Sequence, residues 1–385
     1  MQKRRFVQAT VLSIALLAGL SVQAQAVDSK AVVQHYAALV HANYSDVLSS
    51  AQTLQKAIQA FAVAPSEAGL AEARKTWLAA REFYGQTEAF RFYSGPIDDD
   101  RGPEGRLNSW PLDESYIDRV VGKPNAGIVN NPKIKINKAA LAKLNERGGE
   151  ENIAAGWHAI EFLLWGQDLS DTGPGERSFE DYVSGKAPHA DRRRAYLLTV
   201  TELLIDDLNY LVKAWQPGAK NYRAKFEQGG IESVRKMIVG LGSLSRGELA
   251  GERLEVAMNT QDKEDEHSCF SDNTHRDVVA NAQGIENVWL GSYKRLDGSV
   301  VQGASLQALV ATKNAGLADK VSKQIAQSVA NASAIQPPFD REIVGSKDTP
   351  GRIRVQKTID SLVQQSKDIT EAAAALGITK LAQAK

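Results

Sequence analysis

The chain has 385 residues, and its 46 basic and 46 acidic side chains give a formal net charge of zero. Its hydrophobic fraction of 43% and charged fraction of 24% are those of an ordinary globular protein. No basic tract stands out, which argues against nucleic acid as a partner. Cys269 is the one cysteine, so an intramolecular disulfide is excluded.

Residues 1–26 predict a cleavable secretory signal peptide. Three basic residues at positions 3–5 precede an apolar run at 11–20, and a small-x-small cleavage site ends at Ala26. The run is too short and wrongly flanked for a stable membrane span, and no nearby cysteine offers a lipid attachment point. We expect a periplasmic chain that is not a lipoprotein and begins at Val27. Without the three basic residues of the leader it carries 43 basic against 46 acidic side chains, a net charge of −3.

Helical periodicity dominates the first half of the mature chain. Two long apolar-periodic stretches separated by Pro65-Ser66 predict a helical hairpin. The loop at 95–111, rich in Gly, Pro, Asp and Arg, belongs to a class that is usually functional or mobile. The predicted elements are helices 29–61 and 67–92, the loop 95–111, a short helix capped by Asp113, a helix at 138–147 and a central helix at 151–165.

The second half is also predicted to be helical. No strand-like alternation of useful length appears, so the fold class is all-α, and the long helices with hairpin turns predict bundles. The pairs Trp77-Leu78 and Trp289-Leu290 make the two halves faintly alike. The predicted helices are 191–215, a glycine-loosened 230–258, 273–295, 303–334 and 351–376.

The central helix carries the residues with most chemical meaning. His158 and Glu161 are three apart, so they share one part of the helix surface within an apolar run. An imidazole and a carboxylate are costly to bury unless something pairs with them. Glu-x-x-His pairs on bundle helices bind iron or manganese, and here the order is reversed. The alternative is a hydrogen-bonded core pair. A zincin helix is excluded, because Phe162 stands where the second histidine would be.

A second candidate segment is 262–275, the richest in ligand side chains outside the central helix. Composition alone predicts that this segment is a solvated acidic loop, in which Asp272 or Asn273 caps the next helix. His267 and Cys269 do not suit a plain solvated loop. Hard iron favours carboxylates and imidazoles, so Cys269 fits a small buried hydrophobe better than a ligand.

The Gly156-x-His158-x-x-Glu161 motif and its Trp-bearing continuation resemble the signature of the imelysin family. That family is similar in part to the metal-binding domain of Efe-type periplasmic iron-uptake proteins. Segments 90–98, 106–111 and 267–275 support the resemblance, which covers most of the mature chain and points to the iron-regulated protein A branch. It implies two bundle-like domains, a diverged duplication, with a site at their interface. We place them at 27–190 and 191–385.

The resemblance also brings further residues toward the site. Asp98 lies in one of the supporting segments, although its alternative interpretation is a charged turn without EF-hand spacing. Arg91 would pair with Asp98, and Glu88 would add a carboxylate. The predicted metal ligands are His158, Glu161, His267, Asp272, Glu266 and Asp98. The residues expected to line the site are Trp157, Arg91, Glu88, Cys269 and His275.

Three functions remain open from the sequence. The first is a periplasmic protein that binds metal, iron before zinc, and takes part in iron uptake with other envelope components. The second is a zinc-type metallopeptidase, since the family was named for proteolysis. A catalytic zinc, however, needs three protein ligands and a general base, and only two ligands can be named firmly. The third is an envelope interaction protein without metal. No Gly-x-Ser-x-Gly elbow supports nucleophilic catalysis.

Overall fold

The computed structural model describes residues 27–381, so the predicted signal peptide lies outside the described residues. Within them most of the chain is helical and the two strands have three residues each, which confirms the all-α fold class. The α-helices are α1 (Ser29–Val63), α2 (Glu67–Tyr84), α3 (Glu104–Leu107), α4 (Glu114–Ile117), α5 (Gly127–Asn130), α6 (Lys138–Leu144), α7 (Gly156–Trp165), α8 (Ala190–Trp215), α9 (Tyr222–Gln228), α10 (Ile231–Ser243), α11 (Val256–Thr260), α12 (Thr274–Leu290), α13 (Leu306–Ala311), α14 (Ala315–Ala334), α15 (Asp340–Ile343) and α16 (Pro350–Ala375).

Other secondary structure is short. A π-helix at Leu244–Glu255 continues α10 into α11. Strands β1 (Ser292–Lys294) and β2 (Val300–Gln302) pair antiparallel, with Tyr293 opposite Val301. The 3-10 helices are Gly85–Phe90, Phe179–Tyr182 and Lys263–Asp265.

The N-terminal helices form one group that packs around α7. Helix α1 packs along α2 and α8, and α7 packs against both α2 and α8. Every residue of α7 is buried, as expected for a helix that is apolar apart from His158 and Glu161. Side-chain caps fix the first hairpin, because Asp28 accepts from the Ala31 amide and Ser66 from the Gly69 amide.

The C-terminal elements pack in a second group. Helix α14 lies along α16 and α12, and the π-helix packs along α16. Its core contains Val321 and Ile325 of α14 and Leu362 of α16. Because α8 packs on α1 and α7, we propose a boundary after Trp215. The predicted division near residue 190 would separate α8 from the helices that bury its apolar face.

The two groups of helices meet closely where α12 crosses the segment Gly85–Phe90. A Cβ added to Gly85 would stand 2.7 Å from that of Ala280, and one added to Gly284 would stand 2.3 Å from the Gln86 carbonyl oxygen. These contacts are too short for any real Cβ, so glycine allows the backbones to approach.

Some element boundaries differ from the predicted ones. The central helix begins at Gly156 instead of residue 151, since Ala155 is extended and Gly156 has φ +90°. The predicted helix 303–334 is divided by a turn at 312–314. The stretch 273–295 ends in β1 after α12 instead of remaining helical throughout.

A candidate metal site at the centre of the molecule

Segments distant in sequence meet between the two groups of helices. Helix α7 carries His158 and Glu161, the stretch before α12 carries His267, and the segment Gly85–Phe90 carries Glu88. We give the name central cluster to these four residues with Arg81, Asn108, Arg253 and Asp277. Each of the eight side chains belongs to a residue at most 2% exposed, so the cluster is closed off from bulk water.

The start of α7 is fixed against the loop that supplies Asn108. Gly156 adopts φ +90°, which L side chains rarely adopt. A Cβ at this position would stand 2.5 Å from the Leu107 carbonyl oxygen and 2.6 Å from that of Arg106. Glycine therefore allows α7 to begin where His158 and Asn108 reach the same cluster.

His158 and Glu161 bond to each other across one turn of α7. Nδ1 of His158 lies 2.8 Å from Oε2 of Glu161. Oε1 of Glu161 accepts from the Ser271 amide at 3.0 Å and from the Ser271 hydroxyl at 2.6 Å. Burial raises the pKa of Glu161 to about 8. This is the hydrogen-bonded arrangement that the sequence left open beside metal binding.

His267 is held in the same way by an acid from α12. Its Nδ1 lies 2.8 Å from Oδ2 of Asp277, and the Ser268 hydroxyl donates to the same oxygen at 2.5 Å. Arg81 donates to Oδ1 of Asp277 at 3.0 Å. Burial alone would raise the pKa of Asp277, but Arg81 and His267 hold it well below its ordinary value. An ionised Asp277 accepts from Nδ1–H of His267, which makes Nε2 an acceptor.

The two imidazoles approach edge to face, with ring centroids 4.7 Å apart. Nε2 of His267 accepts from the Asn108 amide at 3.3 Å, whereas Nε2 of His158 is buried without a hydrogen-bond partner. Burial lowers the pKa of both rings well below the ordinary value, assisted by Arg81 at His158 and Arg253 at His267. Both rings are therefore neutral near pH 7, the state in which imidazole binds metal.

Glu88 links the cluster to the second group of helices. Its Oε2 accepts from Arg91 and from Arg253, each at 2.7 Å, and its Oε1 accepts a long bond of 3.4 Å from Asn108. Burial would raise the pKa of Glu88, but Arg91 and Arg253 outweigh it and lower the pKa to about 2. Glu88 is thus a stable buried anion with one weakly engaged oxygen.

Aromatic rings enclose the central cluster. The Trp110 ring centroid lies 5.3 Å from that of His267, and the Arg81 guanidinium lies over the face of Trp157. The Trp157 carbonyl accepts from the Trp77 indole at 3.1 Å. These walls exclude water, and electrostatic interactions are stronger in such a medium.

Asp272 lies in a different group, with Asp168 and Asp340, and Glu266 lies against Asp340. Metal sites commonly bring together three or more ligand atoms of His, Cys, Asp or Glu. Among residues 27–381, one such set has all its ligand atoms within 4.8 Å of one another, and it comes from Asp168, Asp272 and Asp340. His158 and Glu161 therefore gain no third ligand of this kind within that distance. The structure separates Glu266 and Asp272 from the histidines with which the sequence grouped them.

The remaining predicted residues have other roles. Asp98 closes a turn by accepting from the amides of Phe92 and Gly95. Arg91, expected to pair with Asp98, instead binds Glu88 and Glu104. Cys269 is buried, and burial raises the pKa of its thiol well above the ordinary value. His275 donates from Nδ1 to the Asp272 carbonyl at 3.1 Å and lines a surface cleft of about 580 Å³.

Four members of the central cluster were missed from the sequence: Arg81, Asn108, Arg253 and Asp277. Arg81 carried a usable signal, because it lies on the apolar face of a predicted helix, where an unpaired guanidinium is costly. Asn108 lies in a segment that carried the family resemblance. Asp277 and Arg253 had no comparable signal, since their contacts join different helices.

Comparison with known proteins agrees with the resemblance drawn from the α7 motif. The Imelysin family model (peptidase M75) matches residues 40–369. Iron-regulated protein A of Synechococcus elongatus is 25% identical over 348 residues, which cover 88% of this chain and 84% of that protein. The crystal structure of an iron-regulated protein A precursor from Parabacteroides distasonis matches with a TM-score of 0.70 at 21% identity, covering 90% of this chain and 94% of that one.

Between residues 27 and 381, no helix has both the length and the apolar character needed to cross a bilayer. The family model spans most of the chain, and the fold is shared along nearly the whole length of the solved relative. The protein belongs to the Imelysin family.

Proposed function

We propose that this protein binds iron as cargo at the paired histidines of the central cluster and takes part in iron uptake in the periplasm. The observation that carries the proposal is the buried Nε2 of His158, which has no partner although it faces a polar cluster. Buried polar atoms are normally satisfied, and each exception requires a reason. The iron-regulated names of the two relatives favour iron over other metals.

The hydrogen bonds around the histidines suit metal binding. In metal sites, a ligating imidazole commonly donates its other N–H to a carboxylate, which fixes the ring and raises its basicity. The ionised Asp277 takes this position for His267. Glu161, whose pKa is raised to about 8, would take it for His158 once metal binding displaces its proton. Both Nε2 atoms would then serve as ligands. Glu88 Oε1 does not complete a set of three with them within 4.8 Å, so it would have to move closer to bind the same ion. The Asn108 carboxamide oxygen is held by Arg81.

A peptidase centre is less well supported by the same geometry. Hydrolysis of a polypeptide needs an open metal position facing a cleft that admits the substrate. His158 is 2% exposed and Glu161 is 0% exposed. Both oxygens of Glu161 are also engaged, so no free general base faces a substrate position.

The experiment is calorimetric titration of iron(II), under anaerobic conditions, and of zinc into chelator-treated protein. Iron should bind to the wild type, and His158→Ala and His267→Ala should each lose most of the affinity. Glu161→Gln should weaken binding by about 10- to 100-fold, the usual effect of changing a group that orients a ligand.

The matched control is His189→Ala, which removes an exposed imidazole and should leave iron binding unchanged. Circular dichroism establishes that each variant is folded. Wild-type affinity in both His158→Ala and His267→Ala would reject the site. Peptide cleavage that is lost in folded His158→Ala and Glu161→Gln would instead favour the peptidase.

A further inference from the structure

Four carboxylates from three segments converge beside the central cluster. Asp168 follows α7, Glu266 and Asp272 precede α12, and Asp340 begins α15. They are 3%, 2%, 8% and 7% exposed, in that order. One oxygen each of Asp168, Asp272 and Asp340 lies within 4.8 Å of the other two. We call these four residues the acidic cluster.

Most oxygens of the acidic cluster are buried and have no hydrogen-bond partner. This holds for both oxygens of Glu266, both of Asp340, Oδ1 of Asp272 and Oδ2 of Asp168. Glu266 is not part of the group of three, but it is buried against Asp340. It therefore adds a fourth carboxyl group to this place.

Among residues 27–381, the cation that forms an ion pair with the acidic cluster is Lys263. Its Nζ lies 3.3 Å from Oδ2 of Asp168, without hydrogen-bond geometry, and donates to the Ser170 carbonyl at 3.0 Å. One ammonium group does not balance four carboxylates. Buried charge without compensation strongly destabilises the folded state, so the remaining negative charge must be cancelled by protons or by a bound cation.

We propose that the acidic cluster is a second metal site that binds a hard divalent cation, calcium in the first place. Calcium takes several carboxylate oxygens at 2.3–2.6 Å, so ligand atoms on opposite sides of one ion stand about 5 Å apart. The mutual distances within the cluster fit this span. Oxygen donors without imidazole or thiolate favour calcium, magnesium or manganese over zinc or copper.

The ion would hold together segments that carry the central cluster. Asp168 belongs to the N-terminal group of helices, whereas Asp272 and Asp340 belong to the C-terminal group. Asp272 directly follows Ser271, which donates twice to Glu161. The second ion therefore fixes the segment that positions Glu161 and His267, and its chemistry does not depend on the proposed iron site.

The test is calcium titration of chelator-treated protein, followed by calorimetry and by the midpoint of thermal unfolding. Calcium should raise the wild-type midpoint with increasing concentration, because a ligand that binds the native state stabilises it. Asp168→Asn and Asp340→Asn should bind calcium at least about tenfold more weakly. Without calcium, Asp340→Asn should unfold at the wild-type temperature or above it, since one of several like charges is removed.

Two controls separate this site from others. Asp319→Asn makes the same charge change at an exposed position of α14 and should respond to calcium like the wild type. His158→Ala should also keep the full response, whatever its iron affinity. The proposal is overturned by a wild-type response in both cluster variants, by its loss in His158→Ala, or by no response to calcium, magnesium or manganese at millimolar concentration. The last result would mean that shared protons balance the cluster.

Discussion

Buried arginines act as the counterions of the acids in this protein. Three arginines at most 1% exposed each bind a buried carboxylate: Arg81 with Asp277, Arg193 with Asp118, and Arg253 with Glu88. Removing one partner of such a pair leaves an uncompensated charge, which costs about 3–5 kcal/mol. These pairs therefore specify which helices pack together, because packing the wrong helices together would leave a buried charge without its partner.

Asp118 offers a test at this scale away from both proposed metal sites. It accepts from Arg193 at 2.6 and 3.0 Å and from Arg177 at 3.0 Å. Burial would raise its pKa, but the arginines lower it from 3.8 to about 2. A lowered pKa means that the stabilisation is complete above about pH 4 and is lost as the pH falls toward 2.

We expect Asp118→Asn to reduce the free energy of unfolding by about 3 kcal/mol at pH 7, with a smaller reduction at pH 2.5. Urea unfolding at the two pH values measures both. Asp206→Asn, which changes an exposed partner of Lys138, is the control and should cost less than about 1 kcal/mol. An equal loss for Asp118→Asn at both pH values would contradict the assigned pKa.

At the scale of elements, the start of α7 is set by a steric fit. We expect Gly156→Ala to destabilise the protein by roughly 2–4 kcal/mol, because the added Cβ meets two backbone carbonyls in a left-handed conformation. Iron affinity should fall with it, since α7 can no longer approach the Asn108 loop. Thermal unfolding and the iron titration measure the two effects.

Gly148→Ala is the matched control for that substitution. Gly148 has φ +89°, but the nearest atom to an added Cβ is at an ordinary 3.5 Å. Its cost should be the conformational strain alone, about 1–2 kcal/mol. Equal losses in the two variants would show that the close approach at Gly156 contributes nothing.

Periodicity predicted the long elements well, because their apolar stripes repeat many times. The predicted helices 29–61, 191–215 and 351–376 correspond to α1, α8 and α16 within two residues at each end. The predicted start of α7 was wrong because Ile153 continues the apolar stripe, whereas the positive φ of Gly156 makes the helix begin there. Periodicity reports which side is buried and carries no information on a single positive φ.

At the scale of the whole molecule, the central cluster joins the two groups of helices. If iron binds Nε2 of both His158 and His267, it favours the arrangement in which α7 and the stretch before α12 are close together. We therefore expect iron to slow amide hydrogen exchange in both 156–165 and 266–277. Mass spectrometry of peptides from these segments measures the change.

Helix α16 supplies the internal control for that experiment, because it packs on α14 and the π-helix, away from α7. Its exchange should be unaffected by iron. Protection limited to 156–165 would show that the metal uses ligands from α7 alone and that the two groups of helices are not coupled through it.

The candidate site could be predicted only where its residues are close in sequence. His158 and Glu161 are one turn apart, so their pairing follows from helix geometry alone. Glu266 and Asp272 stood near His267 in the chain and were assigned to its site, although their side chains join Asp168 and Asp340. Those two partners lie about 70 to 100 residues away in the chain, and no local pattern specifies such a contact.

The closure of the central cluster also bears on kinetics. An ion can reach Nε2 of His158 only after the aromatic and arginine side chains around it have moved, and such openings range from microseconds to seconds. On the proposed function, iron therefore enters and leaves through the same opening of the protein. A substitution that made this opening more frequent without changing a ligand would speed the loading and the release of iron by the same factor. The residence time of iron would shorten, but the dissociation constant would stay the same.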